Sequence, residues 1–353
     1  MYELLAEIKS LQSKGTNKLY PEGVFPSQRK NMVTVREDDN SFFTALIVFT
    51  LLRQKKYFSD EELKIVEEIK QQAKKAFPLY ENKNGKHTYN FWRTEKNAHF
   101  PNGNILSKFD FLRLADDVDC TALVYLASGY SENEITYLKD KLLYHSTLPV
   151  KVSKNTLPHY KNLKLYSTWF GKYIPIETDI CVIANLLYLL FESNASFNNY
   201  DLDCIKFVCS VIINDEHKTQ AIRVAPYYPK TSIIIYHVAR LLTVTTHPDL
   251  LHLKVKLKAD IFQYLSGETH PMEKIVLNTS LMWLGETDNI DQLEMPADNS
   301  FPWFIAGMLT SMDNQVAKWL APLPIFHIQF FCAAYMKTLF LEYKMEKGKL
   351  ENE

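Results

Sequence analysis

Apolar stretches recur along this chain. Each is opened by a short polar cluster, and several are followed by a stretch that is apolar on one side only. Residues 3–14 place Leu4, Leu5, Ile8 and Leu11 at helical spacing and predict an opening amphipathic helix. Residues 19–35, broken by Pro21 and Pro26, read as a loop. The polar run Glu37-Asp38-Asp39-Asn40-Ser41 then leads into Phe42-Phe43-Thr44-Ala45-Leu46-Ile47-Val48, a buried helix with Asp38 and Asp39 as cap candidates. Residues 60–77 follow as an amphipathic helix capped by Asp60, with Leu63, Val66 and Ile69 on one side.

The pairing repeats. An apolar helix over 116–130 precedes an amphipathic one over 131–144 that starts at the cap Ser131. Glu177-Thr178-Asp179 opens an apolar helix over 180–191, followed by 201–214, where Asp201 and Asp203 read as caps. Residues 231–244 and 248–265 make a further pair. Residues 273–284 and 301–312 are expected as apolar helices without clear partners, and 328–347 as the closing helix. Such repetition predicts an all-α chain of helical hairpins, stacked as an open solenoid or closed as a ring. The expected organisation is one domain over 1–353. Residues 1–35 form its N-terminal helix and loop, and the long irregular segment 80–108 lies over one end.

The stretch with the densest chemistry is 114–127, LADDVDCTALVYLA. Asp116, Asp117, Asp119 and Cys120 stand together before a run of small and apolar residues. Acids are favoured in the first helical turn, where unpaired N–H groups and the helix dipole stabilise negative charge. Asp116 or Asp117 therefore reads as the N-cap, with Asp119 inside the first turn. If Asp116 caps, Asp119 falls where a capping box places its acid, and the cluster needs no further role. The sharper reading is an acid carried on a helix end into a cavity.

Asp117-Val118-Asp119-Cys120-Thr121-Ala122 resembles the DxDD-T-A signature of squalene–hopene cyclases, and Asp119-Cys120-Thr121-Ala122 resembles the D-C-T-A of oxidosqualene cyclases. Cys120 stands where bacterial squalene cyclases have a final Asp, and the Q-and-W repeats of that subfamily are not evident. In length the chain is closer to single-domain class II terpene cyclases acting on prenylated aromatics. The resemblance implies an (α/α) toroid of apolar inner and amphipathic outer helices. It also implies that Asp119 is the Brønsted acid that protonates an alkene or epoxide.

That chemistry needs a protonated acid, a dry cavity and aromatic faces for the cation. On this reading Asp119 is the donor, Asp117 tunes it, and Asp116 holds the helix start. Tyr89, Phe91, Trp92 and Trp169 are the expected wall residues, with plain core packing as the alternative for each. Cys120 is small and expected to be buried beside the substrate, and Tyr228, in Tyr227-Tyr228-Pro229, reaches the cavity from the start of an apolar helix. No metal or other cofactor is needed for the acid step.

A second resemblance is to protein prenyltransferase β subunits, which bind zinc through Asp-x-Cys and a later His after Tyr. Asp179, Cys181 and His237 match that order, and would activate a thiolate. The flanking residues of that family are missing, since Val182-Ile183-Ala184 follows Cys181. Arg223, Lys230 and Arg240 are candidates to meet a diphosphate, although they form no dense cluster.

Composition narrows these readings only modestly. Over 353 residues the hydrophobic fraction is 46%, ample for a core, and the net charge of -1 points to neither nucleic acid nor an anionic surface. Gly 10 is low for a dinucleotide fold, and no phosphate-binding glycine loop occurs. The 5 cysteines form no CxxC pair and read as reduced thiols of a cytoplasmic protein. The opening residues carry Glu3, Glu7 and Lys9 and do not read as a signal peptide, and the apolar runs are too short to span a bilayer. The expected partner is a hydrophobic isoprenoid, with peripheral membrane contact for its uptake, and nothing in the pattern sets an oligomeric state. The rival readings are a zinc prenyltransferase β-like subunit, an (α/α) glycan-processing enzyme with two separated carboxylates, and a non-catalytic lipid- or protein-binding toroid.

Overall fold

The computed structural model describes all residues except 84–85, 96–97, 100–107, 109–113, 148–152, 154, 172–173, 298–300, 308, 310–313 and 352–353. The chain is mostly helical, with one small sheet. In order, the elements are α1 (Tyr2–Ser10), β1 (Ser27–Lys30), β2 (Val35–Asp38), α2 (Ser41–Arg53), α3 (Asp60–Ala76), α4 (Val118–Ser128), α5 (Glu132–Tyr144), α6 (Ile180–Glu192) and α7 (Asn199–Ile213). The short helices α8 (Glu216–Thr219) and α9 (Ala221–Val224) precede α10 (Thr231–Leu241), α11 (Pro248–Leu251), α12 (Leu253–Leu265) and α13 (Pro271–Trp283). The chain closes through β3 (Phe304–Gly307), α14 (Gln315–Leu320), β4 (His327–Phe331) and α15 (Ala333–Leu350).

Five helices are apolar nearly all round and buried almost throughout, α2, α4, α6, α10 and α13, and α15 is buried over most of its length although it carries several charged residues. A helix without a polar face must be covered on every side. Each packs against the next in that order, and α15 packs back against α2. The helices with one wet face lie against them. α3 packs on α2 and α1, α7 on α6, α12 on α10 and α13, and α1 on α15. Buried Ile65, Val66, Ile69 and Ala73 form the inward stripe of α3, and Ile135, Leu138 and Leu142 that of α5. One contiguous apolar core runs through all of these helices. Gly23 lets the chain enter β1 close against α3. Its φ is +90°, and a Cβ there would stand 2.0 Å from the carbonyl oxygen of Gln72.

Caps account for most helix starts. Asn40 caps α2 and Asp179 caps α6, while Ser59 with Glu62, Ser131 with Glu134 and Asn198 with Asp201 form capping boxes. At three helices the cap is therefore not an expected residue, and Asp203 caps none. Ser59 replaces Asp60, Asn198 replaces Asp201, and Asn40 replaces Asp38 and Asp39. Those two acids instead accept from side chains, Asp38 from Trp92 Nε1 and Asn40 Nδ2, and Asp39 from Tyr80 and Arg93.

The sheet was not expected. All four strands are antiparallel, in the order β2-β1-β4-β3, with Arg29 opposite Phe330 and Phe330 opposite Phe304. It overturns the loop expected over 19–35, which contains β1 and the start of β2. It also overturns the helix expected over 301–312, whose described residues include β3, and β4 takes the start of the expected last helix. Apolar runs this short fit either period, and the pairing that decides them joins chain ends far apart in sequence. Ile328 and Phe330 point inward from β4, and the rings of Phe304 and Phe330 meet edge-on at 5.2 Å. No described helix is long and apolar enough to cross a membrane.

Candidate functional site: the acid pair at the head of α4

Two extended segments clamp the start of α4. On one side Asp117 N donates to Tyr89 O (3.1 Å) and Tyr89 N to Thr121 Oγ1 (2.9 Å). On the other, Val118 N donates to Thr168 O (2.8 Å) and Phe170 N to Asp116 O (2.9 Å). Tyr89 and Phe91, from the described part of the segment 80–108, thus bond the heads of α4 and α2, since Ser41 N also donates to Phe91 O (3.1 Å). These clamps aim three adjacent acids in different directions.

Asp117 is the N-cap, and its Oδ1 accepts from Cys120 N at 2.6 Å. Asp116 is not the cap. Its carboxylate turns outward, accepting from Asn82 and from Thr88 Oγ1 (2.6 Å), with the Lys141 ammonium of α5 at 3.4 Å. That is a structural ion pair, so Asp116 leaves the site.

Asp119 points inward from the first turn. Its Oδ1 accepts from Asn185 Nδ2 of α6 (2.6 Å), and its Oδ2 accepts the hydroxyl of Tyr228. Asn185 Oδ1 in turn accepts from the Arg240 guanidinium of α10. Arg240 is 1% exposed and lies over the rings of Phe49 (5.2 Å) and Tyr236 (5.3 Å). One polar line, Arg240 to Asn185 to Asp119, therefore crosses three of the apolar helices.

Burial pushes the carboxyl of Asp117 well above the usual range, and the neighbouring charge of Asp119 adds to this against the Cys120 N–H. Burial also raises Asp119, opposed by its hydrogen bonds from Asn185 and Tyr228 and by the Arg240 charge. Tyr228 is pushed well up by burial and by Asp119, so it stays a neutral donor.

Both acids line a cavity with Phe42, Phe91, Cys120, Thr168, Trp169, Val182, Tyr227 and Phe304. Phe304 of β3 is its hub, with ring centroids 5.4 Å from Phe42, 5.6 Å from Phe91 and 5.8 Å from Tyr227. Trp169 Nε1 donates to Tyr227 Oη (2.7 Å), and the Tyr227 hydroxyl bonds buried Glu177. The free volume is about 20 Å³, room for about one water molecule.

Of the expected wall residues, Phe91, Trp169 and Cys120 line the cavity and Tyr228 holds the acid. Tyr89 and Trp92 do not line it. Tyr89 packs edge-on against Tyr125, and Trp92 lies under Arg29 with its N–H on Asp38. Sequence reasoning missed Phe42, Asn185, Phe304 and Glu177, and placed Arg240 differently. The available signal was a polar residue inside an otherwise apolar helix, as at Asn185 and Arg240.

The other constellations do not assemble. Asp179 spends its carboxylate on the backbone, accepting from Cys181 N (2.7 Å) and Tyr227 N (2.9 Å), and His237 Nδ1 lies 2.8 Å from Ile233 O. Among the described residues, the group of three metal-ligand atoms within 4.8 Å is elsewhere, at Asp215, His217 and Asp260. Lys218 and Lys256 already neutralise those carboxylates at 2.5–3.1 Å. The supposed diphosphate cations are apart as well: Lys230 lies over Phe301 beside Glu273, and Arg223 reaches Thr156 O. All five cysteines are unpaired and buried.

The chain matches no protein-family model, no curated protein and no solved structure. The site is therefore read from its own geometry.

Proposed function

We propose that this chain is a class II terpene cyclase, which protonates and cyclises a polyprenyl or prenylated aromatic substrate. The observation that carries the reading is the pair Asp117 and Asp119, buried at a helix head and facing a cavity walled by aromatic rings, with no basic side chain among its lining residues. The carboxyls, which burial favours in the protonated form, supply the proton, and the faces of Phe42, Phe91, Trp169 and Phe304 stabilise the cation. The cycle of contacts from α2 through α15 back to α2, with amphipathic helices outside it, supports the finer reading of the fold as an (α/α) toroid. The reaction is an isomerisation and calls for no metal or redox cofactor. Apolar lining with few polar groups argues against a glycan, and Asp179 committed to backbone N–H groups argues against a zinc transferase.

Binding pockets for such ligands run to about 300–1,000 Å³, so substrate entry requires the aromatic wall to open. β3, an edge strand that carries Phe304, is held by β4 on one side and by the bond from Ile305 N to Tyr227 O (2.9 Å) on the other, so that opening has to break the second contact. The tight filling favours one second reading, a non-catalytic toroid in which the Asp119–Asn185–Arg240 line only satisfies buried polar groups. Mass spectrometry after incubation with farnesylated and geranylgeranylated aromatics, prenols and prenyl diphosphates separates the two. An isomer of unchanged mass, absent from the Asp117→Asn and Asp119→Asn double variant, supports the cyclase. No product from any of these compounds with the folded wild type supports the second reading.

A further inference from the structure

We propose that the transferable proton at this site resides on Asp117, and that Asp119, the residue expected from the sequence to be the acid, is the fixed anion beside it. The inference rests on the cyclase reading only for its use in catalysis. The placement of the proton follows from hydrogen-bond bookkeeping at the two carboxyls.

Asp119 has both oxygens occupied, by Asn185 Nδ2 at 2.6 Å and by the Tyr228 hydroxyl. The direction of the first bond is fixed. Arg240 can only donate, so Asn185 must present its carbonyl to Arg240 and its NH2 to Asp119. Tyr228, a neutral phenol, supplies the second donor. Two donors, with a guanidinium beyond one of them, favour the charged carboxylate.

Asp117 is the opposite case. Its Oδ1 takes the backbone N–H of Cys120 (2.6 Å), with the Cys120 thiol as a further, weak donor to the carboxyl, and its Oδ2 has no protein partner among the described residues. The residue is 4% exposed and lines the cavity, so an unpaired anionic oxygen would face an apolar wall. Two carboxyls at one dry helix head resist ionising together, and the proton goes to the one with the weaker donors and no cation behind them. The O–H of Asp117 is then the group presented to the cavity.

In the reaction the Asp117 O–H bond breaks and its proton forms a C–H bond with the alkene π pair. The resulting cation is closed by the next alkene or ring. A water molecule takes one proton from the product cation as hydronium, and solvent returns one proton to the Asp117 carboxylate, so the sum is an isomerisation. The carboxylate left behind is held by the Cys120 N–H and the N-terminal dipole of α4.

The test does not depend on turnover. Infrared difference spectra at neutral pH are recorded for wild type against Asp117→Asn and Asp119→Asn. Beside the band of Asp179, which all three proteins keep, one protonated-carboxyl C=O band is expected to be lost in Asp117→Asn and kept in Asp119→Asn. Asparagine is a good N-cap, so the first variant is expected to fold, with circular dichroism as the check. Loss of the band in Asp119→Asn alone, or in neither variant, overturns the proposal. Asp117→Glu, which restores a carboxyl, provides the rescue. If it shows the protonated band while wild type isomerises none of the prenylated compounds, the cyclase reading fails and the proton assignment stands.

Discussion

The heads of α4 and α6 are built alike. Each opens with an aspartate N-cap, Asp117 or Asp179, followed within three residues by a buried cysteine. At α6 both carboxylate oxygens are closed by backbone donors, Oδ1 by Cys181 and Val182 and Oδ2 by Tyr227. At α4 the second oxygen has no such partner among the described residues, and the helix adds Asp119 within its first turn. The same local signal thus yields a purely structural cap in one place and a chemically available carboxyl in the other. What separates them at the second oxygen is the N–H of Tyr227, delivered by the segment before α10.

The largest effect expected from breaking this comparison is on turnover. Asp117→Asn should reduce isomerisation by about 10²–10⁴-fold, the usual contribution of a general acid, while leaving the thermal midpoint almost unchanged. Product yield and calorimetry on the same sample check it; equal activity in variant and wild type would refute the role. Next is the polar line behind Asp119. Arg240→Met strips Asn185 of its donor and Asp119 of its cation, and should cost about 3–5 kcal/mol in urea unfolding at unchanged m-value. Tyr228→Phe removes one donor from Asp119 and should cost about 1–3 kcal/mol by the same measurement.

A smaller effect sharpens the α6 side. Burial pushes the Asp179 carboxyl up to about 8. Between its ordinary value near 4 and that value, the folded chain keeps a proton that the unfolded chain has released. Stability therefore falls as pH rises through this window. Asp179→Asn should be less stable overall, because the Tyr227 N–H loses its acceptor, yet its stability should fall less steeply from pH 5 to 8. Identical slopes in the two proteins would show that Asp179 is already ionised. Smallest of all, Lys141→Met should cost about 1 kcal/mol and leave turnover intact, since Asp116 and Lys141 face away from the cavity.

Much of the helical framework was legible. The apolar runs behind polar caps gave α2, α4, α6, α10 and α13, and the one-sided runs gave α3, α5, α7 and α12. Ser131 with Glu134 could be read as a cap because a capping box is complete within four residues. The strands could not be read in the same way. Phe304 and its neighbours carry no period that distinguishes strand from helix, and the sheet they join is closed by β1 pairing with β4 from opposite ends of the chain. The site was half legible: Asp117, Asp119, Phe91 and Trp169 announced themselves by type and clustering, whereas Phe42 and Phe304 looked like ordinary core.

The sequence by itself determined where helices start and which of them have a wet face. Both follow from contacts within a few residues, the cap to its own first turn and the apolar stripe to its own period. Only the tertiary structure decided what each buried acid does. A carboxyl in the core takes its protonation from the donors that reach it, and here those donors come from Asn185, Tyr228, Arg240 and Tyr227, brought by helices and loops that no local pattern connects to α4 or α6.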